Sequence, residues 1–270
     1  MSDEGSATAG AARPDTSVAH NARVWNFWTG GETHHEVDRR VGEQVAGMFP
    51  VIREVARADR DFLVRAVRYL AAERSIRQFL DLGTGLPTAD NTHEVARRVD
   101  PDSRVVYVDN DPVVLAHSRS LLAGSPEDLT DYVDADVRDP EAVLKRAART
   151  LDLGRPVAVL MLGILNFVLD GAEAREIVRR IMAAVPSGSV LVLTHPTFDA
   201  EVGGAGNVTA MEFWNAHATP PITGRSRAAI ASFLDGLEPV GPGLVPCSQW
   251  RPDAADAAPV PQFGAVAVKP

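Results

Sequence analysis

Short apolar runs alternate with helix-like segments from residue 76 onward. The pattern predicts strands at 77–82, 104–109, 131–134, 156–162 and 189–194. Between them, Asp111 and Asp139 each precede a proline, as a capping residue does at a helix start. Asn91 with Glu94 resembles a capping box. Five strands that alternate with helices predict a parallel, doubly wound α/β sheet.

The chain on either side of these five strands has a different character. Residues 18–75 predict about three helices, broken at Gly30-Gly31 and at Pro50, and residues 1–17 predict a disordered tail. Glycines and prolines are frequent after residue 196, where we expect a helix near 226–235 and closing strands at 237–240 and 264–268. The predicted organisation is therefore a tail (1–17), a helical segment (18–75) and an α/β domain (76–270).

Composition narrows the class of protein. The 270 residues hold 27 Lys and Arg against 36 Asp and Glu, a net charge of −9, and no basic cluster suggests a nucleic-acid partner. Cys247 is the only cysteine, so no internal disulfide can form, as is usual in a reducing compartment. No signal peptide or apolar run of membrane-spanning length is visible. We expect a cytoplasmic protein without a membrane or nucleic-acid partner.

The residues at the ends of the first two predicted strands indicate a ligand-binding site. The first ends in a turn that contains Gly83 and Gly85, and the second ends at Asp109. The glycines let the backbone approach a ligand closely, and a carboxylate after the second strand can accept hydrogen bonds from both hydroxyls of a ribose. This order of features indicates a pocket for a nucleoside-bearing cofactor.

The glycine turn also helps to distinguish between cofactors. A dinucleotide-binding fingerprint has a third Gly or Ala where this chain has Thr88, and Pro87 widens the turn. Such a turn suits a ligand without a pyrophosphate, and S-adenosylmethionine is one. Asp81, at the end of the strand, is placed to engage the amine of its methionine tail. An NAD-type oxidoreductase remains the alternative.

Longer motifs resemble a known family. The strings FLDLGTGLPTADNTHEVA, VVYVDNDPVVLAHSRSLL and YVDADVRDPEAVL, with VWNFWTGG near the N-terminus, are similar to those of S-adenosylmethionine-dependent methyltransferases long catalogued as a domain of unknown function. The resemblance runs from about Ser17 to the C-terminus. It implies the class I methyltransferase fold, a doubly wound and mostly parallel sheet, with an N-terminal helical cap that helps to close the cofactor pocket.

The resemblance also implies roles for individual residues. Asp81, Gly83, Thr84 and Gly85 would form the loop beside the methionine tail, and Asp109 would bind the ribose. Three more residues would surround the adenine: Asn110, Asp136 and Val137. From the N-terminal motif, three residues would approach the cofactor tail: Arg23, Asn26 and Gly31. Trp25 and Trp28 of that motif are expected to anchor a helix instead.

Two departures from the family pattern fall on the expected acceptor side. Asn166 stands where many relatives have a histidine, and Trp25 and Trp28 belong to a motif that is usually rich in tyrosine. We count Asn166 with the cofactor-site residues. His195 follows the fifth strand and is a candidate general base, although a hydrogen bond within a loop is the more ordinary role for it. His34-His35 has no partner at metal-ligand spacing, so no metal site is expected.

The sequence therefore predicts an S-adenosylmethionine-dependent methyltransferase that acts on an oxygen or nitrogen nucleophile of a small molecule. Besides the NAD-type oxidoreductase, a protein that binds the cofactor without transferring its methyl group is an open alternative. Sequence leaves the acceptor, any catalytic residue and the oligomeric state open.

Overall fold

The computed structural model describes residues 16–122, 129–254 and 256–270. Of the tail expected over residues 1–17, residues 1–15 lie outside the described ranges. The strands are β1 (Ala19–His20), β2 (Gln78–Leu82), β3 (Arg104–Asp109), β4 (Thr130–Asp134), β5 (Ala158–Leu162), β6 (Val190–Pro196), β7 (Ala218–Thr219), β8 (Glu238–Pro239), β9 (Val245–Pro246) and β10 (Gln262–Val268). The α-helices are α1 (Asn21–Trp28), α2 (Glu36–Met48), α3 (Ile52–Glu73), α4 (Thr92–Arg97), α5 (Pro112–Leu122), α6 (Pro140–Ala147), α7 (Gly171–Ala183), α8 (Asn207–His217) and α9 (Arg227–Ala231).

The five predicted strands form the parallel part of the main sheet. Its order is β4-β3-β2-β5-β6-β10-β8, with β9 paired to β10. β2 pairs in parallel with β3 and β5, and β10 runs antiparallel to β6. The strand order reverses beside β2, so the carboxyl ends of β2, β3 and β5 border a crevice of the kind in which open α/β sheets bind ligands.

Alternate residues of each central strand pack into two cores on opposite faces of the sheet. Phe79 and Val105 belong to a core shared with α3 and α4, whereas Leu80 and Val106 belong to a core shared with α6 and α7. The strands are apolar on both faces because both faces are covered by helices. The architecture is thus three-layered, and the N-terminal helices share their core with the sheet.

The N-terminal segment contains the three helices expected, with breaks at the predicted positions. It also contains a strand, β1, that the sequence analysis missed. This strand pairs in parallel with the distant β7. Two residues are too few for a strand pattern to be visible in sequence. Downstream, the helix expected at 226–235 is α9 followed by a 3-10 turn over Ser232–Leu234.

The predicted capping residues fix the helices that follow the strands. The side chain of Asp139 accepts a hydrogen bond from the backbone N of Ala142 at 3.0 Å, and Glu94 accepts one from the backbone N of Asn91 at 2.7 Å. Such contacts satisfy backbone donors that a helix start leaves unpaired. They therefore fix where the helices begin beside the carboxyl edge of the sheet. Across the described residues, no helix is long and apolar enough to cross a membrane.

Candidate active site

The turn after β2 forms the floor of a cleft. Gly83 and Gly85 have φ values of +74° and +63°, in the left-handed region that glycine adopts without strain. The backbone N of Gly83 donates to the carbonyl oxygen of Val108 at 2.8 Å, and that of Gly85 donates to Asp109 Oδ2 at 3.0 Å. The turn is therefore held against the end of β3. A Cβ on Gly85 would meet no atom within 4 Å, which leaves room for a ligand directly above it.

This cleft has a volume of about 480 Å³ and lies at the carboxyl edge of the sheet. Most of the site residues expected from sequence line it: Asp81, Gly83, Thr84, Gly85, Asp109, Asn110, Asp136, Val137, Asn26 and Asn166. We call the part built from the strand ends and the turn the strand-tip wall; it comprises Asp81 to Gly85, Asp109, Asn110, Asp136 and Val137. The tips of β2, β3 and β4 thus meet around one space.

Beyond the strand-tip wall, the cleft is lined by apolar side chains of the helices and the segments that follow them. We call this surface the helical wall and define it by Trp28, Phe49, Val55, Leu63, Met211 and Trp214. They come from α1, from the end of α2, from α3 and from α8. The cleft therefore has an apolar surface on the helices in addition to the polar groups at the strand ends.

Asp109 is oriented by the backbone around it. Its Oδ2 accepts from Gly85 N and its Oδ1 accepts from Asp111 N at 2.9 Å, so the carboxylate is held in one orientation. Burial raises the pKa of Asp109, an effect that these backbone hydrogen bonds oppose. Each carboxylate oxygen has a second lone pair free to accept. The group is suited to bind two neighbouring hydroxyls.

Asp81 lies deeper, at the end of β2. It is 5% exposed, and its Oδ2 accepts a hydrogen bond from Thr92 Oγ1 at 2.6 Å. Burial raises its pKa to about 6, so the carboxyl changes charge near neutral pH. A buried carboxylate is stabilised by a cation, and the amine of an amino-acid tail is one.

Asn110 and Asp136 meet at the far end of the strand-tip wall. Asn110 Nδ2 lies 3.2 Å from Asp136 Oδ2, and the backbone N of Arg138 donates to Asp136 Oδ1 at 2.8 Å. These contacts join the loops after β3 and β4. The end of the wall therefore presents polar groups able to contact the edge of a base.

Not every residue of the N-terminal motif reaches the cleft. Asn26 does, but Arg23 is 3% exposed and its Nε donates to Asp38 Oδ2 at 2.7 Å, behind the cleft wall. Gly31 also lies outside the lining; a Cβ there would come within 2.2 Å of Asn26 Nδ2. Arg23 and Gly31 thus do not line the pocket as expected. Gly31 instead leaves room for the side chain of Asn26. Trp28 is fixed by a hydrogen bond from its Nε1 to Gly42 O at 3.1 Å.

Asn166 lines the cleft from the segment after β5. It lies in a 3-10 turn, Leu165–Phe167, directly after β5. The side chain is 6% exposed, and its Oδ1 has no hydrogen-bond partner among the described residues. A buried polar atom without a partner is unfavourable by about 1–3 kcal/mol. A ligand in the cleft that donates to Asn166 would remove this penalty.

The structure argues against His195 as a general base. The side chain is fully buried and is not part of the cleft lining. Its Nδ1 donates to Pro196 O at 2.8 Å and its Nε2 accepts from Arg225 Nη1 at 2.6 Å, because a guanidinium can only donate and a carbonyl can only accept. Burial lowers the pKa of His195 to about 3. The ring is neutral and its lone pair is engaged, so the structure agrees with the hydrogen-bonding role that the sequence analysis gave as the more ordinary one.

The charged residues of the cleft that the sequence analysis did not assign to the site include two on α3. Asp59 and Arg60, on α3, both line it. The guanidinium of Arg60 donates to Ala89 O, the Nη2 contact measuring 2.6 Å, near the glycine turn. Asp59 lies on the apolar face of its helix, four residues from both Val55 and Leu63. A carboxyl within an apolar helical stripe is a signal of a functional residue that the sequence analysis did not use.

The described residues contain no group of three or more His, Cys, Asp or Glu side chains placed to hold a metal ion. Cys247 is buried and free.

Sheet order and cleft together define the class of protein. An order of this kind, with an antiparallel strand inserted beside the fifth parallel strand, is the class I methyltransferase fold. A glycine turn with open space above it, a carboxylate for the ribose and polar groups for a base edge fit S-adenosylmethionine.

Comparisons with known proteins agree. The chain belongs to the S-adenosyl methyltransferase family, whose model matches residues 7–270. It is similar to the crystal structure of a DUF574 family protein from Streptomyces avermitilis: 42% identity, 95% of this chain and 99% of that chain covered, and a TM-score of 0.88. A proposed methyltransferase from Thermobifida fusca is 36% identical, with 94% and 96% covered and a TM-score of 0.87. None of the curated proteins matches the chain.

A more distant likeness concerns the fold alone. The structure of PigF with S-adenosylhomocysteine is 13% identical, covers 89% of this chain and 72% of that chain, and has a TM-score of 0.51. Family membership establishes a methyltransferase that uses S-adenosylmethionine, and it removes the NAD-type oxidoreductase from consideration.

Proposed function

We propose that this methyltransferase transfers a methyl group to an oxygen or nitrogen atom of a small molecule bound between the strand-tip wall and the helical wall. The observation that supports it most is the shape of the site: one 480 Å³ cleft holds both the cofactor residues and a separate apolar surface. A cleft of this size is typical of sites for small ligands.

The strand-tip wall would hold the cofactor. In this proposal Asp81 binds the amine of the methionine tail, and the turn from Gly83 to Gly85 lies beneath that tail. Asp109 binds the ribose hydroxyls through its remaining lone pairs. The adenine lies among Asn110, Asp136 and Val137, which line the same end of the cleft.

Arg60 adds a charge that sequence reasoning did not assign. It is a cation in the cleft lining, beside the loop that follows the glycine turn. It is therefore placed to attract the carboxylate of the methionine tail, while Asp81 attracts the amine. Opposite charges at the two positions would align the tail along the turn.

The bound cofactor supplies an electrophilic methyl group on a positively charged sulfur. The protein contributes alignment and exclusion of water, which can lower the barrier of a direct displacement by several kcal/mol without a dedicated catalytic residue. Asn166 is placed to orient a donor group of the acceptor through its unpaired Oδ1.

The test is methyl transfer from labelled S-adenosylmethionine into a cell extract divided into small-molecule, protein and nucleic-acid fractions. We expect label in the small-molecule fraction, with loss of transfer in Asp109→Ala. The matched control is Asp134→Ala, since Asp134 is paired with Asp109 in register on β4 but is exposed. Label confined to the macromolecular fractions, or binding of the cofactor without any transfer, would refute the proposal.

A further inference from the structure

The helical wall contains one ionisable side chain that the cofactor does not account for. Asp59 lines the cleft and is 8% exposed, one helical turn from Val55 and from Leu63. Its Oδ1 accepts a hydrogen bond from Gln262 Nε2. The hydroxyl of Thr194 and the amide of Gln262 both oppose the rise in its pKa that burial causes. The carboxyl therefore lies on the apolar face of α3 with a few polar neighbours.

The positive charge of Arg60 acts on this carboxyl and opposes the rise in its pKa, but the two side chains form no ion pair. The ion pairs formed by the described residues include none with Asp59. Three cationic or basic side chains line the cleft: Arg138 pairs with Asp136, His20 pairs with Asp111, and the guanidinium of Arg60 donates to the carbonyl oxygen of Ala89. Burial accordingly raises the pKa of Asp59. Buried carboxylates are normally paired, so a cationic partner from outside the chain would be favoured here.

The hydrogen-bond partner of Asp59 belongs to a strand that does not contribute to the strand-tip wall. Gln262 begins β10, and it is paired in register with Pro196 at the end of β6. Two strands, β5 and β6, therefore separate this partner from β2, whose turn forms the floor under the cofactor. Asp59 thus reaches the cleft from α3 and is bound to β10, while its charge still acts on Asp81.

We propose that Asp59 recognises a basic nitrogen of the methyl acceptor, so that the acceptor is a compact, mostly apolar amine whose hydrocarbon part packs on the helical wall. This inference depends on the proposed function, because it assigns the second half of the same cleft. The side chains of Trp28, Phe49 and Trp214 offer flat apolar surface to a ring, and Asp59 offers the charge. An acceptor with a carboxylate would be repelled by Asp59 and by the other carboxylates of the cleft.

The experiment is isothermal titration of three probes with one skeleton: 2-phenylethylamine, 2-phenylethanol and phenylacetate. The protein is first titrated with S-adenosylhomocysteine, and the probes are then added to the saturated complex at pH 7.5. We expect the amine to bind at least about tenfold more tightly than the alcohol, with phenylacetate weakest. Equal binding of the amine and the alcohol, or preference for phenylacetate, would overturn the inference without any variant.

Two variants test the residue. In Asp59→Asn we expect the preference for the amine over the alcohol to shrink to less than threefold, with the affinity for S-adenosylhomocysteine unchanged. The matched control is Asp61→Asn, which removes the same charge from an exposed position on the same helix and should keep the wild-type order. An unchanged amine preference in Asp59→Asn would refute the assignment.

A parallel loss of S-adenosylhomocysteine binding in Asp59→Asn would place this residue in the cofactor subsite and also overturn the inference. Failure of the proposed function gives a different result, since the wild-type protein would then bind the cofactor but transfer no methyl group to any small molecule.

Discussion

The two walls of the cleft are built in different ways. The strand-tip wall consists of residues that directly follow β2, β3 and β4, and its polar groups are carboxylates and backbone N–H groups held by short hydrogen bonds. The helical wall consists of apolar side chains from helices that lie up to about 190 residues apart in the chain, as Trp28 and Trp214 do. One wall is a local feature of three loops, and the other exists only after the helices pack.

The difference indicates a division of labour. A cofactor that is the same in every turnover can be read by backbone groups whose positions are fixed by the sheet. An acceptor is recognised by shape, and shape is set by side chains on helices. Substitutions on the strand-tip wall should therefore change cofactor affinity, and those on the helical wall should change stability and acceptor choice.

The largest effect is expected for Asp109→Ala. It removes the partner of two backbone N–H groups and the proposed acceptor of two ribose hydrogen bonds, each worth roughly 1.5–3 kcal/mol when charge-assisted. Affinity for S-adenosylhomocysteine should fall by about 100-fold or more, as measured by isothermal titration. Asp134→Ala should bind as the wild type does. Similar losses in both variants would contradict the division between the walls.

The two glycines of the turn should respond differently to alanine. Both substitutions place a side chain at positive φ, which costs about 1–2 kcal/mol. In Gly83→Ala the new Cβ would also lie 2.4 Å from Ile164 Cδ1, whereas Gly85→Ala meets open space. Urea unfolding should show Gly83→Ala to be less stable than Gly85→Ala by roughly 1–3 kcal/mol. Gly85→Ala should instead weaken cofactor binding. Equal stability of the two variants would refute the interpretation that Gly83 is closely packed and Gly85 is not.

Cofactor affinity should depend on pH through Asp81. Burial raises its pKa to about 6, so the carboxyl is protonated below that pH and cannot pair with the cofactor amine. Affinity for S-adenosylhomocysteine should decrease by about tenfold from pH 7 to pH 5. The stability of the protein without cofactor should show the opposite dependence on pH. Because the pKa is raised above its unfolded value, ionisation of Asp81 lowers the free energy of unfolding as the pH rises from about 4 to about 6.

The control for that measurement is Asp81→Asn, titrated over the same pH range. Asp59, Arg60 and Asp109 all interact electrostatically with Asp81, and the pKa values of Asp59 and Asp109 are also raised by burial. The difference between the two profiles isolates the contribution of Asp81. Profiles of the same slope would show that another group is responsible.

The smallest effect on the cofactor is expected on the helical wall. Val55→Ala removes two buried methyl groups and should reduce the free energy of unfolding by about 1–2 kcal/mol. Affinity for S-adenosylhomocysteine should stay within twofold of the wild type, because Val55 belongs to the helical wall and not to the strand-tip wall. A tenfold loss of cofactor affinity in this variant would remove the distinction between the two walls.

Much of the fold could be predicted because its signals are local. Each central strand is a continuous apolar run, and the residues at the helix starts after β2 and β4, Asn91 and Asp139, belong to short motifs with a known geometry. The paired strand β1 could not be predicted, since its partner β7 lies about 200 residues away and neither has a pattern of its own.

The sequence by itself determined the strand-tip wall of this protein, since Asp81, Gly83, Gly85, Asp109 and Asp136 lie at or after the ends of strands whose carboxyl ends must meet at one edge of a parallel sheet. Tertiary structure alone decided which other groups reach that edge. It buried His195 against Arg225, kept Arg23 behind the wall with Asp38 and brought Asp59 into the cleft. The physical reason is burial: whether a polar side chain meets a ligand or a partner within the protein depends on packing between distant segments, which no local pattern encodes.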